Sequence, residues 1–266
     1  MFRNVLVGVD GSSNGRDGIA LASRLLDQSG KLTLAHVSAK QDAAAVKLLE
    51  DERAAAGVEA EIVSVRASSP GAGLHQRAEE QAADLLVVGS CGRGAFGRVM
   101  IGDDTRAALN GAPCAVAIGA RGYSAQPTPI AKIGVAYNGS PESAAALAKA
   151  RELAVPTSAT IIALEVVSIP TYAYAGVVAP TPGAGIDAMV AEAQQGLDEL
   201  EGVEGRAVYG LPTEELAEFG DEVDLLVVGS RSYGPVRRLV LGSTSDYLER
   251  HARCSLLVLP RLPERE

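Results

Sequence analysis

The 266-residue chain has no apolar run approaching the ~18 residues that a membrane-spanning helix needs, so no membrane partner is expected. It is short of positive charge: 24 Lys and Arg stand against 33 Asp and Glu, a formal net charge of −9. A nucleic-acid partner is therefore not expected, because neutralising phosphates takes clustered basic side chains. A single nucleotide stays open, since backbone N–H groups can hold one. Three cysteines, an odd number, suit a reducing compartment rather than a disulfide framework. Cys114 and Cys254 precede equivalent last strands and read as small core residues, whereas Cys91 falls in a glycine loop. The three histidines, His36, His75 and His251, are scattered, with only His251-x-x-Cys254 near zinc spacing, so no protein-held metal site is expected. No G-x-x-x-x-G-K-[S/T] loop occurs, which argues against efficient NTPase machinery. No charged segment followed by an apolar one opens the chain. MFRNVLVGVD reads directly as a strand, and a cytoplasmic location is expected.

What the chain does have is a repeat. DLLVVGSCGRGAFGRVMIG from Asp84 to Gly102 recurs as DLLVVGSRSYGPVRRLVLG from Asp224 to Gly242, and the offset of 140 also carries Cys114 onto Cys254. Each copy is an apolar, β-branched run ending in Gly-Ser, then a glycine-containing loop, then a glycine where a helix should begin. Unpaired N–H groups and the positive end of a helix dipole, bared by glycine, suit an anion. Tight packing of strand against helix would select the same glycines. A chain of this length divides naturally into halves of about 130 residues: a first domain at 1–121, a Pro-containing linker at 122–129 and a second domain at 130–266.

Strands are expected at Val5–Val9, Leu32–Val37, Glu61–Val65, from Leu85, and at Ala115–Ile118. They alternate with helices over about Asn14–Gln28, Gln41–Ala56, Leu74–Ala82 and from Gly102 to Asn110. Asp10, Gly11 and Ser12 supply the turn and cap before the first helix, and Ser68, Ser69, Pro70 and Gly71 read as a loop. The second half repeats the order at Ile133–Ala136, Ile161–Val167, Arg206–Tyr209, Leu225–Val228 and Leu256–Leu259. Strands this apolar, alternating with helices, indicate an α/β fold with a parallel sheet covered on both faces. The offset grows from 128 (Asp10 to Asn138) to 140 (Gly89 to Gly229), mostly through the stretch from Ile169 to Gly185, which carries Pro170, Pro180, Pro182, Tyr172 and Tyr174.

Two motifs mislead. Gly92, Gly94 and Gly97 spell the dinucleotide G-x-G-x-x-G, but not in a first βα turn, and the repeat has Ser232, Gly234 and Arg237 there. Gly11-Ser12-Ser13-Asn14-Gly15 matches the hydrolase elbow G-x-S-x-G, yet Ser13 maps onto Pro141 and no HGGG segment is present. Helix capping accounts for those serines.

GVDGS at Gly8 to Ser12, with the G-x2-G-x9-G spacing of Gly89, Gly92 and Gly102, resembles the universal stress protein family, and the second half resembles it again. The resemblance implies two tandem open five-stranded sheets of order 3-2-1-4-5 with helices on both faces, a Rossmann-like fold of the adenine-nucleotide α-hydrolase type. It implies ATP or AMP at the strand C-terminal edges and a stress-response or signalling role; a Mg²⁺ bridging Asp103 or Asp104 to the phosphates is an option, and with no general base or activated nucleophile evident, at most slow ATP hydrolysis is expected. The halves are expected to pack through their last strands as an intramolecular pseudo-dimer, with a homodimer of whole chains a further option. An interaction module with degenerate sites is the alternative.

Carried over by residue, Asp10 lies near the adenosine, Gly89 and Gly92 approach ribose and phosphates, and Gly102 with Asp103 holds the phosphate end. The family's Gly-Ser or Gly-Thr has become Gly102-Asp103. A carboxylate about 4 Å from a phosphate costs roughly 1 kcal/mol in water and about 4 kcal/mol at an effective dielectric of 20. In the second half the matching residues are Asn138, Gly229, Ser232, Gly242, Ser243 and Thr244. Ser232 replaces a glycine, at about 1–2 kcal/mol if positive φ is required, and Asn138 replaces the acid. The second half is thus expected to be the better phosphate site and the first the better adenosine site.

Overall fold

A computed structural model describes residues 1–39, 43–90, 107–108, 110–168, 184–230, 239 and 242–261. The first half runs β1 (Phe2–Gly8), α1 (Ser13–Leu25), β2 (Leu26–Ser38), α2 (Ala43–Ala56), β3 (Glu61–Arg66), α3 (Pro70–Glu80), β4 (Leu85–Gly89) and β5 (Ala115–Gly119). The second runs β6 (Lys132–Ala136), α4 (Pro141–Thr157), β7 (Thr160–Val167), α5 (Ala184–Asp198), β8 (Glu204–Tyr209), α6 (Pro212–Phe219), β9 (Leu225–Gly229), α7 (Ser243–His251) and β10 (Ser255–Leu259).

The strands lie in the order β3-β2-β1-β4-β5-β10-β9-β6-β7-β8. Within each half the pairing is parallel and follows the expected 3-2-1-4-5 order. The fifth strands then pair antiparallel, with Leu256 opposite Ile118 and Val258 opposite Val116, so the two sheets join edge to edge into one. Alternation along each central strand feeds two apolar layers. Leu85, Val87, Leu225 and Val227 enter one, with side chains of α1, α2 and α4. Leu86, Val88, Leu226 and Val228 enter the other, with α3, α6 and α7. Each layer crosses the seam between halves, so burial on both faces of every central strand explains why the repeat is apolar throughout.

The aspartate that opens each repeat is a clamp. Asp84 accepts from the amides of Arg3 and Asn4 at 2.8 and 2.9 Å, and Asp224 accepts from those of Ala131 and Lys132 at 2.9 Å each. Both pin the start of the neighbouring strand. Helix α1 stops at Leu25, three residues before the expected end, because Asp27 accepts from the amide and hydroxyl of Ser29 and turns the chain into β2. Helix α3 starts four residues early, at Pro70, with Ser69 capping the amide of Ala72. Serine before proline was a start signal rather than a loop. At the β8 edge, Gln194 of α5 accepts from the amide of Ala207 at 2.9 Å and donates to the carbonyl of Gly205 at 3.0 Å, occupying groups another chain could otherwise pair with.

Cys114 and Cys254 are buried, and burial pushes both thiols up to about 12. Neither is a thiolate at neutral pH, so iodoacetamide should leave both unmodified in the native protein and label them on unfolding. Native-state labelling at the unfolded rate, read by peptide mass, would show instead that these strand ends open.

Candidate functional site

Strand β6 ends at Ala136, and the chain turns through Tyr137, Asn138 and Gly139 into α4. Asn138 Oδ1 accepts from the amide of Ser140 at 3.2 Å, Gly139 takes a φ of +72°, and Ser140 Oγ caps the amide of Ser143 at 3.2 Å. The first half builds the same turn with Asp10, whose Oδ1 accepts from the amide and hydroxyl of Ser12 at 2.9 and 2.6 Å, and with Gly11 at φ +80°. Asp10 and Asn138 therefore accept from the matching backbone amide two residues on, and Asp10 takes the Ser12 hydroxyl as well.

Opposite this turn, Gly242 caps α7. Its amide donates to Ser245 Oγ at 2.8 Å, and its carbonyl receives the amide of Asp246 at 2.8 Å. The amides of Ser243 and Thr244 lie in the first helical turn, at the positive end of the helix dipole. Between turn and helix opens a cleft of about 650 Å³, a size typical of small-molecule sites. Asn138, Gly229, Gly242, Ser243 and Thr244 all line it, so the structure brings together the second-half residues singled out in the sequence, Ser232 excepted. Ser232 lies outside the described residues, as do Gly92, Gly102 and Asp103, so of the first-half set only Asp10 and Gly89 are placed. Cys91, Gly94, Gly97, Arg93, Arg98, Arg237 and Arg238, and the proline- and tyrosine-bearing stretch at 169–183, also fall outside them.

Three lining features were not singled out from the sequence. Leu164, Val166, Pro212 and Leu216 form an apolar wall at the ends of β7 and α6. Ser230, 7% exposed, lines the cleft with its amide bonded to the carbonyl of Leu259, and its hydroxyl is buried without a partner. Glu142, in the first turn of α4, is the one charged side chain among the described lining residues. A second chamber of about 570 Å³ shares Tyr137, Asn138, Val166 and Ser168 and continues toward Glu165, Met189 and Glu192; burial pushes the Glu165 carboxyl up.

The histidines are engaged with backbone. His36, His75 and His251 each bond a main-chain carbonyl, of Val9, Ala108 and Tyr247, at 2.7–2.8 Å. Ser12 of the apparent hydrolase elbow donates to Asp10 and caps α1. Among the described residues there is no group of three or more His, Cys, Asp or Glu placed to hold a metal, and no helix long and apolar enough to cross a membrane.

The family model for universal stress proteins matches residues 38–118 and again 129–260. The chain belongs to this family. A universal stress protein of Mycobacterium tuberculosis H37Rv is 28% identical over 224 residues, 78% of this chain and 75% of that protein, and another from the same strain is 30% identical over 188 residues, 66% and 61% of the two chains. The crystal structure of a universal stress protein from Archaeoglobus fulgidus superposes with a TM-score of 0.67 at 18% identity, covering 97% of this chain and 98% of that one. That likeness extends the fold across both halves. The tandem universal stress fold puts the cleft where open α/β sheets keep ligand sites, at strand C-terminal ends beside the point where strand order reverses, here between β6 and β9.

Proposed function

We propose that this universal stress protein binds an adenine mononucleotide, ATP or AMP, in the second-half cleft and acts through it in a cytoplasmic stress or signalling response. The observation that carries this reading is the convergence on one cleft of the helix start at Ser243 and Thr244, the turn residue Asn138 and the side-chain-free Gly229. In this assignment the amides and hydroxyls of Ser243 and Thr244, with Gly242, hold the phosphates. Asn138 offers the ribose both a donor and an acceptor, the apolar wall from Leu164 to Leu216 takes the base, and Ser232 belongs to the phosphate loop. Asp10, Gly89, Gly92, Gly102 and Asp103 form the first-half counterpart, with Asp103 set against the phosphates. The division into domains at 1–121 and 130–266 around a linker at 122–129 belongs to the same reading, as does association of whole chains into a homodimer.

Titration calorimetry of nucleotide-free protein with ATP and with AMP tests it. Binding should appear as heat, and as a rise in Tm of about 5 °C or more at one hundred times Kd, where linkage supplies about 2.7 kcal/mol. Absence of both heat and shift at millimolar nucleotide would remove the nucleotide and leave an interaction module with degenerate sites.

A further inference from the structure

Each half places one carboxylate and one carboxamide at the same two positions around the end of its first strand, but in opposite order. The first half has Asp10 and Asn14, the second Asn138 and Glu142, related by the same offset of 128. The later member of each pair sits over the glycine that ends the central strand. A Cβ on Gly89 would run into the main chain of Asn14, and one on Gly229 would lie 2.8 Å from Glu142 Cβ. The negative charge missing from position 138 has therefore moved four residues on and stays in the cleft. Glu142 is 13% exposed at its side chain, and Arg261 Nε stands 3.9 Å from its Oε1, at the outer limit of an ion pair.

The remaining lining sharpens the contrast. No Lys, Arg or His lines the cleft among the described residues, whereas hydroxyls of Ser140, Ser143, Ser243 and Thr244 do, and the buried Ser230 hydroxyl has no partner. A bare polyphosphate entering this cleft meets a like charge in Glu142, offset among the described residues only by the 3.9 Å contact from Arg261. A polyphosphate that brings its own divalent cation presents a positive face to the same carboxylate. Mg²⁺ keeps several waters and takes one or two carboxylates plus phosphate oxygens, so a single glutamate among hydroxyls suits a metal that arrives with its ligand rather than one held in a protein cage.

We propose that Glu142 is a specificity-determining residue of the second-half cleft: it admits the nucleotide as its divalent-cation complex and disfavours the metal-free polyphosphate. This rests on the nucleotide reading above. An acidic residue in a first helical turn also complements the helix dipole, a role that has no connection with metal dependence. The discriminating measurement is calorimetry on the full chain and its Glu142→Gln variant, with ATP in millimolar MgCl₂ or in EDTA and with AMP alongside. The wild type should bind ATP about tenfold or more tighter with Mg²⁺. Glu142→Gln should narrow that ratio to about threefold by gaining affinity for metal-free ATP, while AMP, with less charge, changes little in either protein. Equal affinity of the wild type for ATP in Mg²⁺ and EDTA overturns the proposal, as does an unchanged ratio in the variant, which would place the source of the metal preference on a group other than Glu142. Failure of both proteins to bind any nucleotide overturns the nucleotide reading itself, and this inference with it.

Discussion

Gly89→Ala is expected to cost about 4 kcal/mol, above the usual 1–3 kcal/mol of overpacking, because nothing near the new methyl can give way. The Cβ would overlap the carbonyl oxygen and carbon of Asn14, in the first turn of α1. The contact is backbone against backbone, and both sides are anchored. Gly18 packs against the same strand end, where its own Cβ would lie 3.2 Å from the amide nitrogen of Gly89, and Gly119 lies under Asp17. Helix α1 thus rests on the ends of β4 and β5 through glycine alone, and one methyl forces the whole helix off the sheet. The equivalent Gly229→Ala meets the Cβ of Glu142 at 2.8 Å and its carbonyl at 3.0 Å, and Ala146 and Leu259 stand where the first half has Gly18 and Gly119. A looser contact should cost about 1–2 kcal/mol. Urea unfolding of both variants checks the order: a Gly89→Ala protein within 1 kcal/mol of wild type, or a costlier Gly229→Ala, would mean that the helix start yields.

That asymmetry reaches the ends of β4 and β9. In the first half, main chain closes down on the strand end and Asn14 keeps a buried, unpartnered Oδ1. In the second, the strand end faces the side chain of Glu142 and an open volume. The second-half strand end therefore meets its helix less closely, and among the described lining residues the charged features are one carboxylate and one helix start.

Much of this was legible in the sequence, and the reason is periodicity. Strands buried on both faces read as continuous apolar runs, so β4, β9 and β10 fell within a residue or two of their ends, while the strand order came from the family resemblance, which held for both halves. Candidate site residues stood out for a related reason: small residues repeat at a fixed offset beside a strand end, as at Gly229 and Gly242, although packing of strand on helix would select them too. Long-range polar bonds were not legible. Asp84 and Asp224 opened the most visible motif in the chain, yet their roles as clamps involve amides 80 to 93 residues away. Glu142 was hidden differently, because a glutamate after Ser-Pro reads as an ordinary helix start and only the cleft shows what it faces.

Asp17→Ala should lower stability by about 3 kcal/mol, the second-largest effect expected of a single substitution here. Asp17 projects from the middle of α1 at 1% exposure, and its partners come from the linker between halves. Oδ2 accepts from the amide of Gly122 at 2.8 Å, and Oδ1 accepts from the amide and hydroxyl of Ser124 at 2.7 and 2.6 Å. Those donors are supplied by a tight turn in which Gly122 adopts a φ of +83°. Alanine would leave all three donors without this acceptor, and each lost bond, part-buried and made to a charged group, costs about 1 kcal/mol or more. Asp17→Asn separates charge from geometry. Its oxygen can still serve Ser124, but its NH₂ must then face the amide of Gly122, donor against donor, for a loss of about 1–2 kcal/mol. The corresponding residue in the second half is Ala145, so the tie exists once, and it fastens the first half to the segment that delivers the chain into the second. Beyond the drop in urea midpoint, Asp17→Ala should speed proteolysis within residues 120–126 in the native protein, because three anchors of that turn are gone. A variant matching wild type in both stability and cleavage would show that the turn is held by its own hydrogen bonds, Tyr123 to Ala120 and Ala125 to Gly122, without help from α1.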